Sequence, residues 1–348
     1  MSTTVKPPSR GKVNRLGLSM KEYKGGNSTL CAGCGHDAIT SQIIKSFWEY
    51  GVEPHRLAKL SGIGCSSKTP AYFVNQSHGL NSVHGRMPSV GTGAMLANRD
   101  LLAIGVSGDG DSASIGLGQF CHLLRRNVPL IYIIENNGVY GLTKGQFSAT
   151  ADFGSSSKGG ELNDLPAMDV CALAVQLGCN FVARSFAGDP KQLNALLKAA
   201  IAHRGTALLD VVSPCVTFNN HKGSTKSYKF AKDNEEILHE IDFIPFFEQI
   251  DVEYGEGESI DVEMHDQSHM RLRKLHDGYR PTDKLAALRI LAETTSRQEL
   301  LTGMIYINEE QPDFLTQLEM VDQPLAHLGP DKTLPGPEVL EKIMAGLT

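Results

Sequence analysis

The sequence predicts an α/β fold built on a doubly wound, mainly parallel sheet. Two short runs, residues 101–106 (LLAIGV) and 130–134 (LIYII), are almost entirely apolar, which is typical of strands buried on both faces of a sheet. A polar turn follows each run, and a segment with apolar residues at helical spacing separates the two. Alternation of strands and helices favours parallel pairing through helical crossovers.

The alternation continues on both sides of this stretch. Helices are predicted where apolar residues recur every three or four positions, at 37–50, 91–98, 167–177 and 190–203. Another helix is expected to end near Arg126 and to begin at an N-cap formed by Ser112 or Ser114. Further strands are predicted at 57–63, 180–184 and 207–212, and loops at 72–87 and 151–165.

Composition divides the chain into three segments. Residues 1–25 are predicted to be an N-terminal arm, because they carry two prolines and several charges. Residues 26–225 hold the α/β pattern. Residues 226–348 contain an acidic edge strand within 252–263 and helices at 285–294 and 335–347, but they are too polar for a second large core. We expect this last segment to be an extension that packs on a neighbouring subunit.

Charge, hydropathy and cysteine content exclude several classes of protein. With 33 Lys and Arg against 39 Asp and Glu, the net charge is −6, so the chain lacks the broad basic surface of a nucleic-acid-binding protein. No apolar run reaches membrane-spanning length, and the first residues lack the apolar core of a signal peptide. Seven cysteines argue against a disulfide framework. We expect a cytoplasmic protein that binds neither nucleic acid nor membranes.

The two polar turns of the central stretch combine oxygen ligands with a phosphate-binding geometry. Ligands bind beyond the carboxyl ends of the strands in a doubly wound sheet, and both turns lie at such ends. Asp109 offers a carboxylate, Asn137 an amide oxygen, and Val139 a backbone carbonyl, which suit Mg²⁺. The helix that begins after Gly110 offers amide donors to a diphosphate. The pair of turns therefore predicts a metal–diphosphate site.

Each turn by itself also has an ordinary structural interpretation. Gly-Asp-Gly is common in loops, and Asn-Asn-Gly is a frequent turn sequence. A dinucleotide-binding loop is excluded, because the glycines around residue 108 do not form the GxGxxG pattern. The pairing of the turns across one helix is what favours a ligand site. From Gly108 to Asn137 the stretch resembles the thiamine-diphosphate signature, which opens with GDG and closes with NN. The resemblance implies Mg²⁺ at Asp109, Asn137 and the carbonyl of Val139.

The cysteines permit several interpretations. Cys31 and Cys34 form a CxxC motif, which is found in redox, zinc and iron–sulfur sites. Cys65 and Cys215 each follow a predicted strand, so four thiolates are available for zinc or a 4Fe–4S cluster. Cys65 and Cys215 can equally be small buried side chains. The remaining three cysteines lie in or beside core-facing segments and are expected to be buried thiols: Cys121, Cys171 and Cys179.

Several motifs in fixed order resemble the β subunit of 2-oxoacid:ferredoxin oxidoreductases, in particular the 2-oxoglutarate type. They are CAGCGH, GIGCSSKTPAYF, HGRMPSVGTGAMLAN, the GDG-to-NN stretch and SPC, and the resemblance continues in MHDQSHMRLRKL and DGYRPTD. It implies a thiamine-diphosphate-binding fold and one 4Fe–4S cluster held by Cys31, Cys34, Cys65 and Cys215. It also implies that a set of residues lines thiamine diphosphate: Ile63, Gly64, Cys65, Ser66, His84, Gly110, Asp111, Gly141 and Leu142.

The same resemblance implies an activity and its partners. Lys68 and Lys144 are expected to bind substrate carboxylates, and Leu142 to shape the pocket beside the reacting carbon; without the resemblance, the lysines would be solvated and His84 a loop residue. The implied reaction is oxidative decarboxylation of 2-oxoglutarate with CoA to succinyl-CoA and CO₂, with electrons passing through the cluster to ferredoxin. The reverse, reductive carboxylation, is equally open.

Only one cofactor-binding α/β unit is evident in the sequence, whereas a complete thiamine site also needs a pyrimidine-binding domain. The resemblance implies an α subunit that carries the pyrimidine-binding domain, in an (αβ)₂ assembly, without which the chain is inactive. Alternatives are a pyruvate or broad 2-oxoacid enzyme, a thiamine decarboxylase or synthase without electron transfer, and a zinc-stapled, non-catalytic interaction module.

Overall fold

The computed structural model describes residues 12–157, 159–219, 224–237, 259–263, 269–273, 279–297 and 299–347. Its strands, in chain order, are β1 (Leu57–Ser61), β2 (His78–Asn81), β3 (Leu102–Gly108), β4 (Ile131–Asn136), β5 (Val139–Tyr140), β6 (Gln146–Phe147), β7 (Phe181–Phe186), β8 (Ala207–Val212), β9 (Glu235–Ile237), β10 (Ser259–Glu263), β11 (His269–Arg273) and β12 (Leu300–Ile307).

The described strands form one large sheet and two short hairpins. The sheet has eight strands in the order β2-β1-β3-β4-β8-β7-β12-β9, and the hairpins are β5-β6 and β10-β11. All neighbours in the sheet are parallel except β7 and β12, which are antiparallel. The central strands β3, β4 and β8 are almost wholly buried, as the apolar runs predict.

Helices cover both faces of the sheet. They are α1 (Gly35–Tyr50), α2 (Met87–Ala97), α3 (Leu117–Arg126), α4 (Val170–Leu177), α5 (Pro190–Ala202), α6 (Tyr228–Asn234), α7 (Lys284–Arg297), α8 (Phe314–Gln317), α9 (Pro330–Thr333) and α10 (Pro337–Ala345). One apolar core joins α1 and α5 to the sheet, and a second joins α2, α3, α4 and α7 to it. Helices on both faces of a mostly parallel sheet confirm the predicted doubly wound α/β class.

The start of α3 differs from the prediction. Neither Ser112 nor Ser114 caps it, because residues Gly110–Ile115 first form a π-helical turn. The amide of Gly116 donates to the carbonyl oxygen of Asp111 at 2.8 Å, an i to i−5 bond, and α3 begins after Gly116. Single π-turns inside helices are often found at functional sites, and this one lies directly after the acidic glycine turn.

Part of the tail belongs to the sheet. β12 pairs with β7, and α7 packs against α4 through Ala287 and Leu291, both buried in the second core. The sheet therefore includes residues beyond 226, the expected boundary between the α/β segment and the tail. Residues 260–263 of the predicted edge strand lie in β10, and 337–345 form the predicted last helix. The three-segment division stays a prediction.

Several expectations fall outside the described residues. Residues 1–11 of the predicted arm do so, as do 264–268 and 274–278, which carry much of the two tail motifs. Within the described part of the chain, no helix combines the length and the apolar character needed to cross a membrane.

Candidate thiamine-diphosphate and cysteine site

The two polar turns meet at the carboxyl edge of the sheet. β3 and β4 are parallel neighbours, with Gly108 opposite Glu135, so the residues that follow them lie side by side. The backbone amide of Asn137 donates to Oδ1 of Asp109 at 3.2 Å. The side-chain Oδ1 of Asn137 in turn accepts from the amide of Val139 at 3.1 Å. These bonds connect the three residues that carry the predicted metal ligands.

Asp109 is a buried carboxylate, only 1% exposed. Its Oδ2 accepts hydrogen bonds from the hydroxyls of Ser148 and of Thr150, the latter at 2.8 Å. Burial raises the pKa of the Asp109 carboxyl, and these hydrogen bonds oppose the rise. A divalent cation beside the carboxylate would favour its charged form. The donor chemistry therefore fits Mg²⁺.

Asp111 connects three segments around the predicted diphosphate site. Its Oδ2 accepts from the amide of Ile63 at 3.2 Å and from the hydroxyl of Ser107 at 2.9 Å. Its Oδ1 accepts from the amide of Gly85 at 2.7 Å. The carboxylate thus fastens the turns after β1 and β2 to the π-turn. The structure gives Asp111 a role in shaping the site beside its predicted contact with thiamine diphosphate.

One feature of this edge, the hydroxyl of Ser66, fits a bound diphosphate. The hydroxyl of Ser66 is buried at the Gly108 turn, and its oxygen has no hydrogen-bond partner among the described residues. Gly110 begins the π-turn under the ring of Tyr140, where a Cβ would lie 2.5 Å from Cε1. The hydroxyl of Tyr140 donates to the carbonyl of Gly110 at 3.0 Å, which holds the ring there. A buried hydroxyl without a partner suits a phosphate ligand. The missing side chain of Gly110 makes room for the ring of Tyr140.

The remaining predicted site residues surround this edge at different depths. Ile63, Gly64 and Lys68 are half-buried after β1, and Gly64 has φ +104° with open space beside its Cα. His84 is exposed beside the buried Gly85. Leu142 and Lys144 are exposed in the turn that follows β5, where Lys144 has the unusual φ of +83°. A non-glycine residue in this region stores backbone strain of about 1–3 kcal/mol.

Segments carrying the four predicted cluster cysteines also converge. A Cβ added to Gly141 would lie 3.4 Å from Sγ of Cys65 and 3.8 Å from Sγ of Cys215, so both sulfurs face that glycine. The hydroxyl of Thr217 approaches Sγ of Cys31 at 3.5 Å. The amide of Gly35, next to Cys34, donates to the carbonyl of Pro214 at 3.4 Å, which joins the CxxC turn to the Cys215 segment.

The electrostatics of these thiols reflect burial and mutual proximity. Burial raises the pKa of Cys34 to about 12, with smaller increases from Glu135 and Cys215. Burial likewise raises the pKa of Cys65, and the nearby Cys215 and Cys31 add to the rise. Such groups repel one another as thiolates, so they need a bound cation to ionise together.

Within the described residues, no group of three or more His, Cys, Asp or Glu side chains is arranged to hold a metal ion. Mg²⁺ and the 4Fe–4S cluster therefore stay predictions. A cluster binds each of four thiolates through a different iron, and does not require the four sulfurs to share one ion. Cys171 and Cys179 are buried, as predicted, and Cys121 is partly buried.

Sequence reasoning did not identify Ser148 and Thr150. They follow β6, far from Asp109 in the sequence, and isolated hydroxyl residues in a loop carry no distinguishing pattern. The only signal is their position shortly after the Asn-Asn-Gly turn.

Comparison with known proteins agrees with this geometry. The family model described as thiamine pyrophosphate enzyme, C-terminal TPP binding domain, matches residues 62–211, which begin directly after β1 and end within β8. Fold and site thus define a thiamine-diphosphate-binding α/β protein. A 2-oxoglutarate synthase subunit KorB from Methanocaldococcus jannaschii is 34% identical over 238 residues, which cover 67% of this chain and 87% of that protein. The chain belongs to the family of 2-oxoacid:ferredoxin oxidoreductase β subunits.

Other relatives support the same family. The 2-oxoacid:ferredoxin oxidoreductase subunit beta of a Sulfolobus species is 44% identical over 193 residues, which cover 55% of this chain and 63% of that protein. The chain thus spans less than two thirds of that protein's length. A solved 2-oxoglutarate:ferredoxin oxidoreductase from Magnetococcus marinus, with 2-oxoglutarate, coenzyme A and succinyl-CoA bound, has a TM-score of 0.71 at 27% identity. The match covers 92% of this chain and 97% of that one.

Proposed function

We propose that this chain is the thiamine-diphosphate- and cluster-binding subunit of an enzyme that oxidatively decarboxylates 2-oxoglutarate with CoA to succinyl-CoA and CO₂. The observation that carries the proposal is the convergence of two predicted sites at one sheet edge. The Asp109–Asn137 pair lies beside the turn at Gly141, and that glycine faces the sulfurs of Cys65 and Cys215. Electron transfer from a cofactor to a cluster requires such proximity.

The roles of the residues follow from their positions. Asp109, Asn137 and the carbonyl of Val139 would hold Mg²⁺, and the backbone at Gly110 together with the hydroxyl of Ser66 would bind the diphosphate. Bound thiamine diphosphate supplies an electron sink for loss of CO₂ from a 2-oxoacid. Predicted contacts to the rest of the cofactor come from Ile63, Gly64, Cys65, His84, Asp111, Gly141 and Leu142.

The lysines at the mouth of the site support a substrate with two carboxylates. Lys68 is half-buried after β1, and Lys144 is exposed in the turn at Gly141. We propose that they bind the carboxylates of 2-oxoglutarate while Leu142 covers the reacting carbon. The bound 2-oxoglutarate of the similar Magnetococcus enzyme favours this substrate. Another relative is named only as a 2-oxoacid:ferredoxin oxidoreductase subunit, so pyruvate is the second candidate substrate.

We propose that the cluster is a 4Fe–4S centre held by Cys31, Cys34, Cys65 and Cys215, which passes electrons to ferredoxin. The position of the Cys65 and Cys215 sulfurs beside Gly141, and the contact between the hydroxyl of Thr217 and the sulfur of Cys31, support a shared site. The alternative is zinc at the same thiols. Iron, sulfide and zinc contents of the anaerobically purified protein distinguish them, because a zinc protein is colourless and a cluster absorbs visible light.

We propose an α subunit as the obligatory partner, since the described part of the chain presents only the predicted diphosphate-binding half of a thiamine site. Several large apolar residues near the end of the described chain are exposed and available for such a contact: Leu334, Leu340, Ile343, Met344 and Leu347. The expected assembly is (αβ)₂ in the cytoplasm, with CoA and ferredoxin as further partners.

The experiment that tests the activity is an anaerobic assay of the complex of this chain with its α subunit. We expect CoA-dependent viologen reduction with 2-oxoglutarate and much slower reduction with pyruvate. Faster reduction with pyruvate would contradict the proposed substrate, and no CoA-dependent reduction with either acid would contradict the proposed activity.

Asp109→Ala tests the cofactor site within the same complex. Loss of the buried carboxylate is expected to abolish Mg²⁺-dependent binding of thiamine diphosphate while iron and sulfide contents stay at the wild-type level, because the cysteines lie on other segments. Calorimetric titration of the cofactor measures the first, and metal analysis the second. Asp164→Ala, in the loop before α4, is the control and should bind normally. Wild-type affinity in Asp109→Ala would refute the assignment.

A further inference from the structure

Four buried polar side chains meet beneath the candidate site, and each comes from a different segment. They are His36, Thr69, Glu135 and Ser213, here called the four-residue network. His36 is 1% exposed and the other three are fully buried. Nothing in the proposed binding of cofactor or substrate uses them.

The network is connected through short contacts. Nδ1 of His36 lies 2.6 Å from the hydroxyl oxygen of Ser213, in a hydrogen bond between the start of α1 and the end of β8. The hydroxyl of Thr69 lies 3.0 and 3.1 Å from the two carboxyl oxygens of Glu135, at the end of β4. Nδ1 of His36 is 3.6 Å from Oε2 of Glu135, a close contact rather than a hydrogen bond.

Each member is a near neighbour in sequence of a predicted ligand. His36 follows Cys34 by two residues, Ser213 precedes Cys215 by two, and Glu135 precedes Asn137 by two. Thr69 lies in the short helix Cys65–Ala71, which begins at Cys65. The network therefore ties together the backbones of all three cysteine-bearing segments and the turn that carries the predicted Mg²⁺ ligand.

Backbone contacts make this connection rigid. The amide of Ser213 donates to the carbonyl of Asn136 at 2.8 Å, which holds the ends of β8 and β4 together. Gly35 packs so closely on Ser213 that a Cβ there would lie 2.6 Å from the serine hydroxyl. Only glycine permits this approach, so α1 begins directly against the Cys215 segment.

Stability alone does not account for such a group. Burial opposes charge on both ionisable members: it lowers the pKa of His36 to about 4 and raises that of Glu135 well above its usual value. Replacing buried polar groups with apolar side chains of similar volume is often neutral or stabilising. Buried polar networks can instead specify one arrangement of the segments that they join.

We infer that His36, Thr69, Glu135 and Ser213 are positioning residues that hold the cysteine-bearing segments at a fixed place relative to the Asn137 turn. The inference rests on the proposed function for the identity of the bound groups. His36 lies in the first turn of α1, whose N-cap residue is the predicted cluster ligand Cys34. Its backbone amide lowers the pKa of that thiol, against the larger effect of burial. Hydrogen bonds to cluster sulfurs tune reduction potential, so displacement of His36 changes that potential.

The test compares Ser213→Ala and Thr69→Val with a matched control in the αβ complex. The control, Ser185→Ala, removes a serine hydroxyl that is equally buried in β7 and bonded to Gln192, away from the cysteines. Both network variants are expected to lose iron to a chelator roughly tenfold faster, an effect of the size found when residues that support metal ligands are replaced. The cluster that remains should have a shifted reduction potential, measured by EPR-monitored titration. Thr69→Ser should restore both properties.

A second measurement is independent of the cluster. In the iron-stripped complex, a short bifunctional thiol reagent should bridge Cys65 and Cys215 in the wild type and in Ser185→Ala, and at least about twofold less in Ser213→Ala and Thr69→Val. Peptide mass mapping quantifies the bridge. Wild-type cross-linking in both network variants would overturn the inference, whatever metal the protein holds. If the wild-type complex contains zinc and the cross-linking still falls, the positioning role stands and the proposed cluster does not.

Discussion

Asp109 illustrates how a functional carboxylate depends on residues that are distant in the sequence. Its predicted role follows from the turn that it occupies, but its charge state depends on the hydroxyls of Ser148 and Thr150. Because burial raises the pKa of the Asp109 carboxyl, each donor that stabilises the anion also prepares it for a cation. These hydroxyls are therefore part of the predicted Mg²⁺ site without being ligands.

We expect Thr150→Val to weaken Mg²⁺ binding in the presence of thiamine diphosphate by roughly tenfold, because removal of a hydrogen bond to a metal ligand has effects of this size. The hydroxyl of Thr150 also contacts Asn136, so the variant loosens both polar turns. Thr143→Val, at an exposed threonine in the neighbouring turn, is the control. Calorimetric titration of Mg²⁺ provides the measurement. Equal affinity in the two variants would contradict a role for Thr150.

A second residue-scale prediction concerns His203, at the end of α5. Burial lowers the pKa of His203 to about 4, while its Nε2 lies 2.9 Å from Oδ1 of Asn180. The neutral form is favoured in the folded state, so the stability that this residue contributes is present above about pH 6.5 and is lost as the pH falls towards 4.

In His203→Gln the side-chain amide replaces the ring as a hydrogen-bond donor but does not titrate. The free energy of unfolding of wild type relative to His203→Gln should therefore decrease by on the order of 1 kcal/mol between pH 6.5 and 4, a value reduced for the partial exposure of the ring. Urea unfolding at a series of pH values measures it. A free-energy difference that is independent of pH would show that His203 has the same pKa in the folded and unfolded states.

At the scale of elements, local sequence patterns account for most of the sheet. β3, β4 and β8 coincide with apolar runs, and α1 and α5 with helical periodicity, because both patterns arise from neighbouring residues. The position of β12 could not be predicted in this way. Its pairing with β7 joins residues that are far apart in the sequence. The run LLTGMIYI at 300–307 is apolar, as in a buried strand, but it lies in a tail of mostly polar composition and does not reveal which strand it pairs with. The π-turn after Asp109 was missed for a related reason, since serines near a glycine turn usually cap an α-helix.

β12 should therefore contribute to stability as a core strand does. Leu301 and Ile305 are fully buried in the second core. We expect Leu301→Ala to lower the free energy of unfolding by about 2–5 kcal/mol, through lost burial and the cavity that remains. Leu318→Ala, at an exposed leucine in the same tail, should change it by no more than about 0.5 kcal/mol. Chemical denaturation measures both, and similar small effects would place β12 outside the cooperative core.

At the scale of the whole molecule, α10 bears an exposed apolar face. Leu340 and Ile343 are 62% and 56% exposed, and Met344 and Leu347 are exposed beside them. Exposed apolar patches of this kind commonly mark protein interfaces. This face supports the proposal that the tail binds the α subunit, while β12 and α7 serve the sheet.

A double variant separates these two roles of the tail. L340E together with I343E should leave the unfolding temperature of the isolated chain nearly unchanged, because neither side chain is buried in it. Co-purification of the α subunit should fall at least about tenfold. Burying two charges in the interface costs more free energy than a tenfold loss of affinity requires. Lys342→Glu places a similar charge on the same helix outside the pair and should retain the subunit. Undiminished co-purification of the double variant would place the interface elsewhere.

The antiparallel insertion of β12 also has a consequence for biosynthesis. Among the described strands, β9 pairs only with β12, and β7 has β12 as its outer neighbour, so one side of the sheet depends on residues 300–307. Residues up to 307 must therefore be synthesised before this side can close. Until residue 307 has emerged from the ribosome, the outer edge of β7 is unpaired and can associate with other strands. Synthesis of residues 300–307 thus sets the moment at which this edge of the sheet is protected from aggregation.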